Sequence, residues 1–297
     1  MASEGLPQNI DAALREGGLD PDGVVEIVQR ALAEDLDGGV DVTSVATVPE
    51  DQQAVLDLVV RGGGVIAGLP VAAAVFVLAS QGRVECRFVP DGSRVSHDEV
   101  VLTATGPTRD LLLGERTALN LLCRLSGIAT LTRRWVDIIG ARHTRVRDTR
   151  KTTAGLRALE KYAVRCGGGV NHRMSLSDEA LVKDNHVVAA GGVAQAFTMV
   201  RDSFPGLTIE VEVDSLDQLE EALSAGAKLV LLDNFTVPDM KRAVALNNGR
   251  ALLEASGGLT LDSAAEVAET GVDYVAIGAL THSAPVLDIG ADLRPVT

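Results

Sequence analysis

The chain has 297 residues, enough for one large domain or two ordinary ones, and 46% of them are apolar while only 3% are aromatic. A core built from Ala, Val, Leu and Ile suits buried parallel strands and the helices that cover them. A net charge of −14 without a basic, aromatic-rich tract excludes a nucleic-acid binder.

The opening MASEGLPQNIDAAL lacks the basic and apolar regions of a secretory leader. DPDGVVEIVQRALAED then has helical spacing at Val24, Ile27, Val28 and Leu32. QQAVLDLVVRGGGVIAG reads as two strands around Gly62–Gly64, and RVECRFVPDGSRV as a strand, a DG turn and a strand. The longest apolar stretch, VIAGLPVAAAVFVLAS, is too short to span a bilayer and contains Pro70, so no membrane segment is expected. EVVLTATGP ends a further strand, and GERTALNLLCRLSGIATLTRRWVDII is a long helix leading into a second domain.

From there the rhythm changes. Strands in RVRDTRKT, EALVKDNH, LTIEVEVD, AKLVLLDN, RALLEASGG and VDYVAIGA alternate with helices such as SLDQLEEALSAG and LDSAAEVAETG. Short connections between such units favour a barrel over an open sheet. The expected fold is α/β: an N-terminal α/β domain over 1–115, possibly joined by the tail 284–297, and a (β/α) barrel over 116–283. Cys86, Cys123 and Cys166 have no metal-finger or redox spacing and are expected as reduced thiols in a cytoplasmic protein.

In a βα barrel, working residues project from the C-terminal ends of the strands. Arg147, Arg150 and Lys151 end one strand and Lys183 the next. Glu210, Glu212 and Asp214 share one face by the period of two. Asp233, then Ser256 and Gly257, then Gly278 and His282 close the last three. Glycine turns after the two final strands, with a helix starting near Thr260, suit phosphate; the plainer reading is a tight turn at Gly257 and Gly258. Glu212 and Asp233 have the chemistry to hold magnesium, and could equally pair with a nearby cation. For Glu210 and Asp214 pairing is the preferred reading.

Between Arg142 and Lys183 ten Lys and Arg face four Asp and Glu, so this segment carries +6 and the remainder −20. Converging guanidinium groups would suit a ligand with more than one carboxylate. Arg157, Lys161 and Arg165, spaced by four, are expected on a solvated helix face. Arg150, Lys151, Arg173 and Lys183 are the stronger pocket candidates, and His172 alone would be an ordinary structural histidine.

Taken in order, RDTRKT, the KYAV and RCGGGVNHR strings, LVKDNH, EVEVD, LLDNF, LEASGGL and IGALTHS resemble the quinolinate phosphoribosyltransferase family from about Asp35 onward. The resemblance implies an N-terminal α/β sandwich, an incomplete barrel, and a homodimer, possibly a higher oligomer, with active sites shared between subunits. It implies that quinolinate and phosphoribosyl pyrophosphate, with Mg2+, give nicotinate mononucleotide, pyrophosphate and carbon dioxide. It places Arg150, Lys151, His172, Arg173 and Lys183 on the dicarboxylate, with Arg116 reaching the partner's substrate. Glu212 and Asp233 would serve the ribose and the metal, and Ser256, Gly257, Gly278 and His282 the phosphate. Lys151, Glu212 and Asp233 are the catalytic candidates. The rival readings are a transferase of the same fold using another base, a Schiff-base aldolase on Lys151 or Lys183, and a non-catalytic binding protein.

Overall fold

Leu69–Ala79 contains no charged residue, and nine of its side chains, from Leu69 to Val77, are buried. A helix apolar all round must lie inside a protein, and the computed structural model, which describes residues 6–296, places it at the centre of the first of two compact units. Met1–Gly5, the start of the stretch read for a leader, and Thr297 lie outside the described residues.

The first unit comprises residues 1–131, 153–167 and 284–297. It opens with α1 (Gln8–Glu16), α2 (Pro21–Leu36) and α3 (Val42–Thr47). Strands β1 (Gln53–Val60) and β2 (Gly64–Val65) precede the buried α4 (Leu69–Ala79). Then come β3 (Glu85–Phe88), β4 (Arg94–Val95), β5 (Val100–Pro107) and the 32-residue α5 (Thr108–Ile139), which runs past Leu131 out of this unit. α6 (Arg157–Cys166) also belongs here, as does the last strand of the chain, Ile289–Pro295. That strand, β1, β5 and β3 form a four-stranded antiparallel sheet in this order, against which α4 packs with α1 and α2 beside it. The DG turn does not make a hairpin: β3 joins this sheet, whereas β4 pairs with β2. Asp91 of that turn accepts hydrogen bonds from Gly68 N (2.7 Å) and Leu69 N (3.1 Å), capping α4 instead.

The predicted solvated face of α6 holds at Arg165, which is exposed, and in part at half-buried Arg157, and is corrected at Lys161. Lys161 is fully buried, as are its neighbours from Leu159 to Val164, because α6 is enclosed within the first unit. Glu160, also fully buried, accepts from Arg124 Nη2 (3.0 Å), Thr153 N (3.0 Å) and Thr153 Oγ1 (2.7 Å).

The second unit comprises residues 132–152 and 168–283. Its elements are β6 (Arg145–Arg147), β7 (Ala180–Val182), α7 (Asp184–Ala190), α8 (Val193–Ser203), β8 (Ile209–Val213), α9 (Leu216–Ala225), β9 (Leu229–Asp233), α10 (Val237–Asn247), β10 (Leu252–Ser256), α11 (Ala264–Ala268), β11 (Tyr274–Ala276) and α12 (Ala279–His282); the strand Ile289–Pro295 is then β12. The six strands are parallel in the order β6-β11-β10-β9-β8-β7. β6 and β7 end this sheet, and among the described residues only a single bridge, Arg147 to Val170, extends it beyond β6. The result is an incomplete barrel. The helix after β10 begins at Ala264, not near Thr260, because Thr260 and Ser263 exchange side-chain hydrogen bonds in a turn.

Candidate active site

Parallel pairing aligns the C-terminal ends of the strands, so residues far apart in sequence come to one rim. Ser256 stands opposite Asp233, and Glu212 opposite Leu231. Period two along β8 produces a gradient of burial: Glu210 is fully buried, Glu212 half-buried and Asp214 exposed. The second unit therefore carries Arg150, Lys151, His172, Arg173, Lys183, Glu212, Asp233, Ser256, Gly257, Gly278 and His282 at or beside its strand ends. Arg116 is not among them; it is exposed on α5 in the first unit.

The cations divide into two kinds. Lys183 Nζ lies 2.7 Å from Glu212 Oε2, so the pairing anticipated as the alternative for Glu212 is present. Arg150 Nε and Arg173 Nε are different: both are buried and meet no acceptor among the described residues. Burial, and then the charge of Arg150, hold the Arg173 guanidinium below its ordinary pKa. Arg173 Nη1 donates to Glu179 O at 3.0 Å; two like charges kept near each other with their Nε donors unspent form an anion-binding arrangement.

Beneath them lies a buried network that sequence reasoning largely missed. Arg147 Nη1 is 2.7 Å from Glu254 Oε2 and 3.8 Å from Glu210 Oε1, with the guanidinium over the Tyr274 ring at 5.0 Å. His172 Nε2 is 2.7 Å from Glu210 Oε2, and His172 Nδ1 accepts from Arg173 N at 2.7 Å. Both ring nitrogens are thus engaged by the protein. Asp148, fully buried, accepts from His172 N (2.8 Å) and Asn171 Nδ2 (2.5 Å), fixing the turn that carries Arg173. Burial pushes the carboxyls of Glu210 and Glu254 up to about 7; the Arg147 charge opposes this in both, and Glu210 adds to it in Glu254. One signal was available: Glu254 is a charge in the middle of the apolar strand run LLEAS, where unpaired acids do not occur.

Two groups of donors could hold a cation. Ligand atoms of His172, Glu179 and Glu210 lie within 4.8 Å of one another, but the Arg147 guanidinium already supplies positive charge there, 3.7 Å from Glu179. Glu212 and Asp233 sit on adjacent strands at the rim with oxygen donors only. That is the donor set magnesium takes when substrate phosphates and water complete its shell, and these residues fit it chemically, with Lys183 Nζ sharing the Glu212 carboxylate.

At the far rim, Gly257 has φ +95° and a Cβ there would lie 2.1 Å from Asn234 Oδ1, so both backbone conformation and packing require glycine at this turn. Asn234 N in turn donates to Ser256 O at 2.9 Å, tying the ends of β9 and β10 together.

The fold and rim together define an α/β-barrel protein that gathers cations and acids at its strand ends. Residues 41–126 match the family model for the quinolinate phosphoribosyl transferase N-terminal domain, and residues 128–292 that for the C-terminal domain. The chain is 51% identical to a nicotinate-nucleotide pyrophosphorylase [carboxylating] of Mycobacterium leprae, covering 92% of this chain and 98% of that one. It superposes on the crystal structure of NadC from Streptococcus pyogenes with a TM-score of 0.90 at 39% identity, over 94% and 99% of the two chains. The nicotinate-nucleotide pyrophosphorylase from Francisella tularensis gives 0.88 at 36%, over 92% and 96%. The chain belongs to the quinolinate phosphoribosyltransferase family.

Proposed function

We infer that the protein is a transferase of NAD biosynthesis. It moves phosphoribosyl from phosphoribosyl pyrophosphate to quinolinate and releases pyrophosphate and carbon dioxide, leaving nicotinate mononucleotide. The observation that carries the substrate assignment is the pair of buried, acceptor-less guanidinium nitrogens on Arg150 and Arg173. Guanidinium forks of this kind match carboxylates bidentately, and quinolinate has two.

In this reading Arg150 and Lys151, beyond the end of β6, and Arg173, beyond the Val170 bridge beside it, hold the dicarboxylate. Glu212 and Asp233 face the ribose, where positive charge develops at C1 as the bond to pyrophosphate breaks. The quinolinate nitrogen forms the new bond to C1. The resulting pyridinium accepts the electron pair of the breaking ring–carboxylate bond, carbon dioxide leaves, and a proton takes its place on the ring carbon. His172, with both nitrogens engaged, serves the loop better than it serves as that donor, which leaves Lys151 or water. Magnesium on Glu212 and Asp233 would neutralise the pyrophosphate. Ser256, Gly257, Gly278 and His282 form the phosphate side.

The same reading makes the protein a homodimer in which Arg116 completes the partner's site. An apolar groove of about 660 Å³ in the second unit supports it, with Leu176, Met199 and Phe204 exposed at 70%, 60% and 62%. Mixing inactive Arg116→Ala with inactive Lys151→Ala should restore activity in mixed dimers; mixed dimers that stay inactive would rule out a shared site. The cysteines Cys86, Cys123 and Cys166 are all free thiols, which supports a reducing compartment such as the cytoplasm. No helix among the described residues is long and apolar enough to cross a membrane.

The deciding experiment supplies magnesium, phosphoribosyl pyrophosphate and quinolinate labelled in the carboxyl to be lost. Labelled carbon dioxide should appear one-for-one with nicotinate mononucleotide. Consumption of phosphoribosyl pyrophosphate only with another base would retain the fold and replace the substrate.

A further inference from the structure

Lys151 follows β6 by four residues and has no regular secondary structure around it. A lysine on such a segment has a long, flexible stem, and its ammonium is only as well placed as its main chain. The main chain of Lys151 is held on both sides. Its N–H donates to Thr149 Oγ1 at 3.0 Å, and its carbonyl accepts from Thr281 Oγ1 at 2.8 Å. The first contact is local; the second spans 130 residues.

Thr281 is fully buried in α12, between Leu280 and His282. Its hydroxyl is closer to Lys151 O than to Gly278 O of its own turn, at 3.3 Å. The neighbourhood also fixes the direction of the lysine stem. A Cβ on Gly278 would stand 3.1 Å from Lys151 Cδ and 3.2 Å from His282 Nε2, so the stem crosses Gly278 beside the imidazole. One short helix therefore carries the hydroxyl that holds the lysine backbone, and the turn before it is the surface that guides the side chain.

We propose that Thr281 is a positioning residue for Lys151: its buried hydroxyl fixes the Lys151 carbonyl and so keeps the lysine stem aligned across the Gly278–His282 turn. This rests on the reading of Lys151 as a residue of the reaction. Thr281 itself touches no substrate in the proposal; its effect passes through one hydrogen bond. Misplacement of a reacting group by about 1 Å costs on the order of a hundredfold in rate, which sets the scale of the effect.

The test compares the full-length protein with Thr281→Val, which keeps the shape and removes the hydroxyl, and Thr281→Ser, which keeps the hydroxyl. Thr281→Val should lower kcat roughly 10- to 100-fold, with the quinolinate KM changed much less. Thr281→Ser should recover most of kcat. Hydrogen exchange over residues 149–153 should accelerate in Thr281→Val and return in Thr281→Ser, a readout independent of turnover.

Wild-type kcat in Thr281→Val, or unchanged exchange over 149–153, overturns the proposal. So does a loss of activity and thermal stability that Thr281→Ser fails to restore, which would mark Thr281 as packing alone. Full activity in Lys151→Ala overturns it by a different route, because the reading of Lys151 itself then fails.

Discussion

Glu160 in the first unit and Glu254 in the second are both fully buried glutamates, yet they are treated in opposite ways. Glu160 is saturated: Arg124 and both donors of Thr153 occupy its carboxylate. Glu254 bonds Arg147 through one oxygen while its other oxygen meets no hydrogen-bond donor among the described residues, and Glu210 rests on its contacts with His172 and Arg147. A satisfied buried charge holds structure together. A partly satisfied one stores electrostatic potential, and here it lies near two arginines whose Nε donors meet no acceptor among the described residues. The lesson is that Glu160 spends its charge on stability, whereas the charges around Glu254 are left in part for a ligand.

That contrast can be broken by mutation. The largest effect should come from the ligand side. Arg173→Ala should lower kcat/KM for quinolinate by about 2–5 kcal/mol, roughly 30- to several-thousandfold, with little change in thermal stability. A Tm loss in place of the kinetic loss would show that the arginine is structural. Glu160→Ala should do the reverse, destabilising by about 3–5 kcal/mol because it removes the buried carboxylate that Arg124 and Thr153 share; chemical denaturation measures this. Equal stability would mean that the clamp is ornamental. Asp233→Ala should weaken use of phosphoribosyl pyrophosphate about tenfold or more while quinolinate binding, followed by calorimetry, changes less. The opposite pattern would exchange the roles assigned to the two sides of the rim.

The smallest effect sharpens the comparison through pH. The folded-state pKa values of Glu210 and Glu254 are about 7, above the ordinary 4.5, so the native protein binds extra protons between these values. Stability contributed by that protonation is complete below about pH 4.5 and is lost as pH rises through 7. Tm should therefore fall by roughly 5 °C from this source between pH 5 and 8. Glu254→Gln, which keeps an acceptor for Arg147 without the charge, should flatten the profile. A profile identical to wild type would place the titration elsewhere.

Much of this was legible in the sequence, and the exceptions have physical causes. The six barrel strands stand where alternating apolar runs and glycine-closed helices put them, because each βα unit is specified locally. EVEVD placed Glu210, Glu212 and Asp214 on one face, which the burial gradient retains. The buried Lys161 defeated a helical-spacing rule, since four-residue spacing reports a shared face without saying whether that face meets water. The pairing of β3 with β5 instead of β4 depended on Asp91 being drawn to the start of α4. Asp148 stood in the quoted RDTRKT string without a role, because its partners, Asn171 and His172, are 23 and 24 residues away. Contacts of that range leave no periodicity to read.

The pairing of β12 with β1, from Ala54 opposite Pro295 to Val60 opposite Ile289, has a consequence for synthesis. All of residues 61–288 are made between β1 and its neighbour. At about 5–20 residues per second, the free edge of β1 waits roughly ten to fifty seconds for β12, and the barrel sequence between them is made in the meantime. During that interval the first sheet lacks an outer strand, and an apolar edge is open to strand pairing with another chain. Nascent chains stalled or truncated before Ile289 should therefore collect as aggregates, even though every barrel strand has already been made.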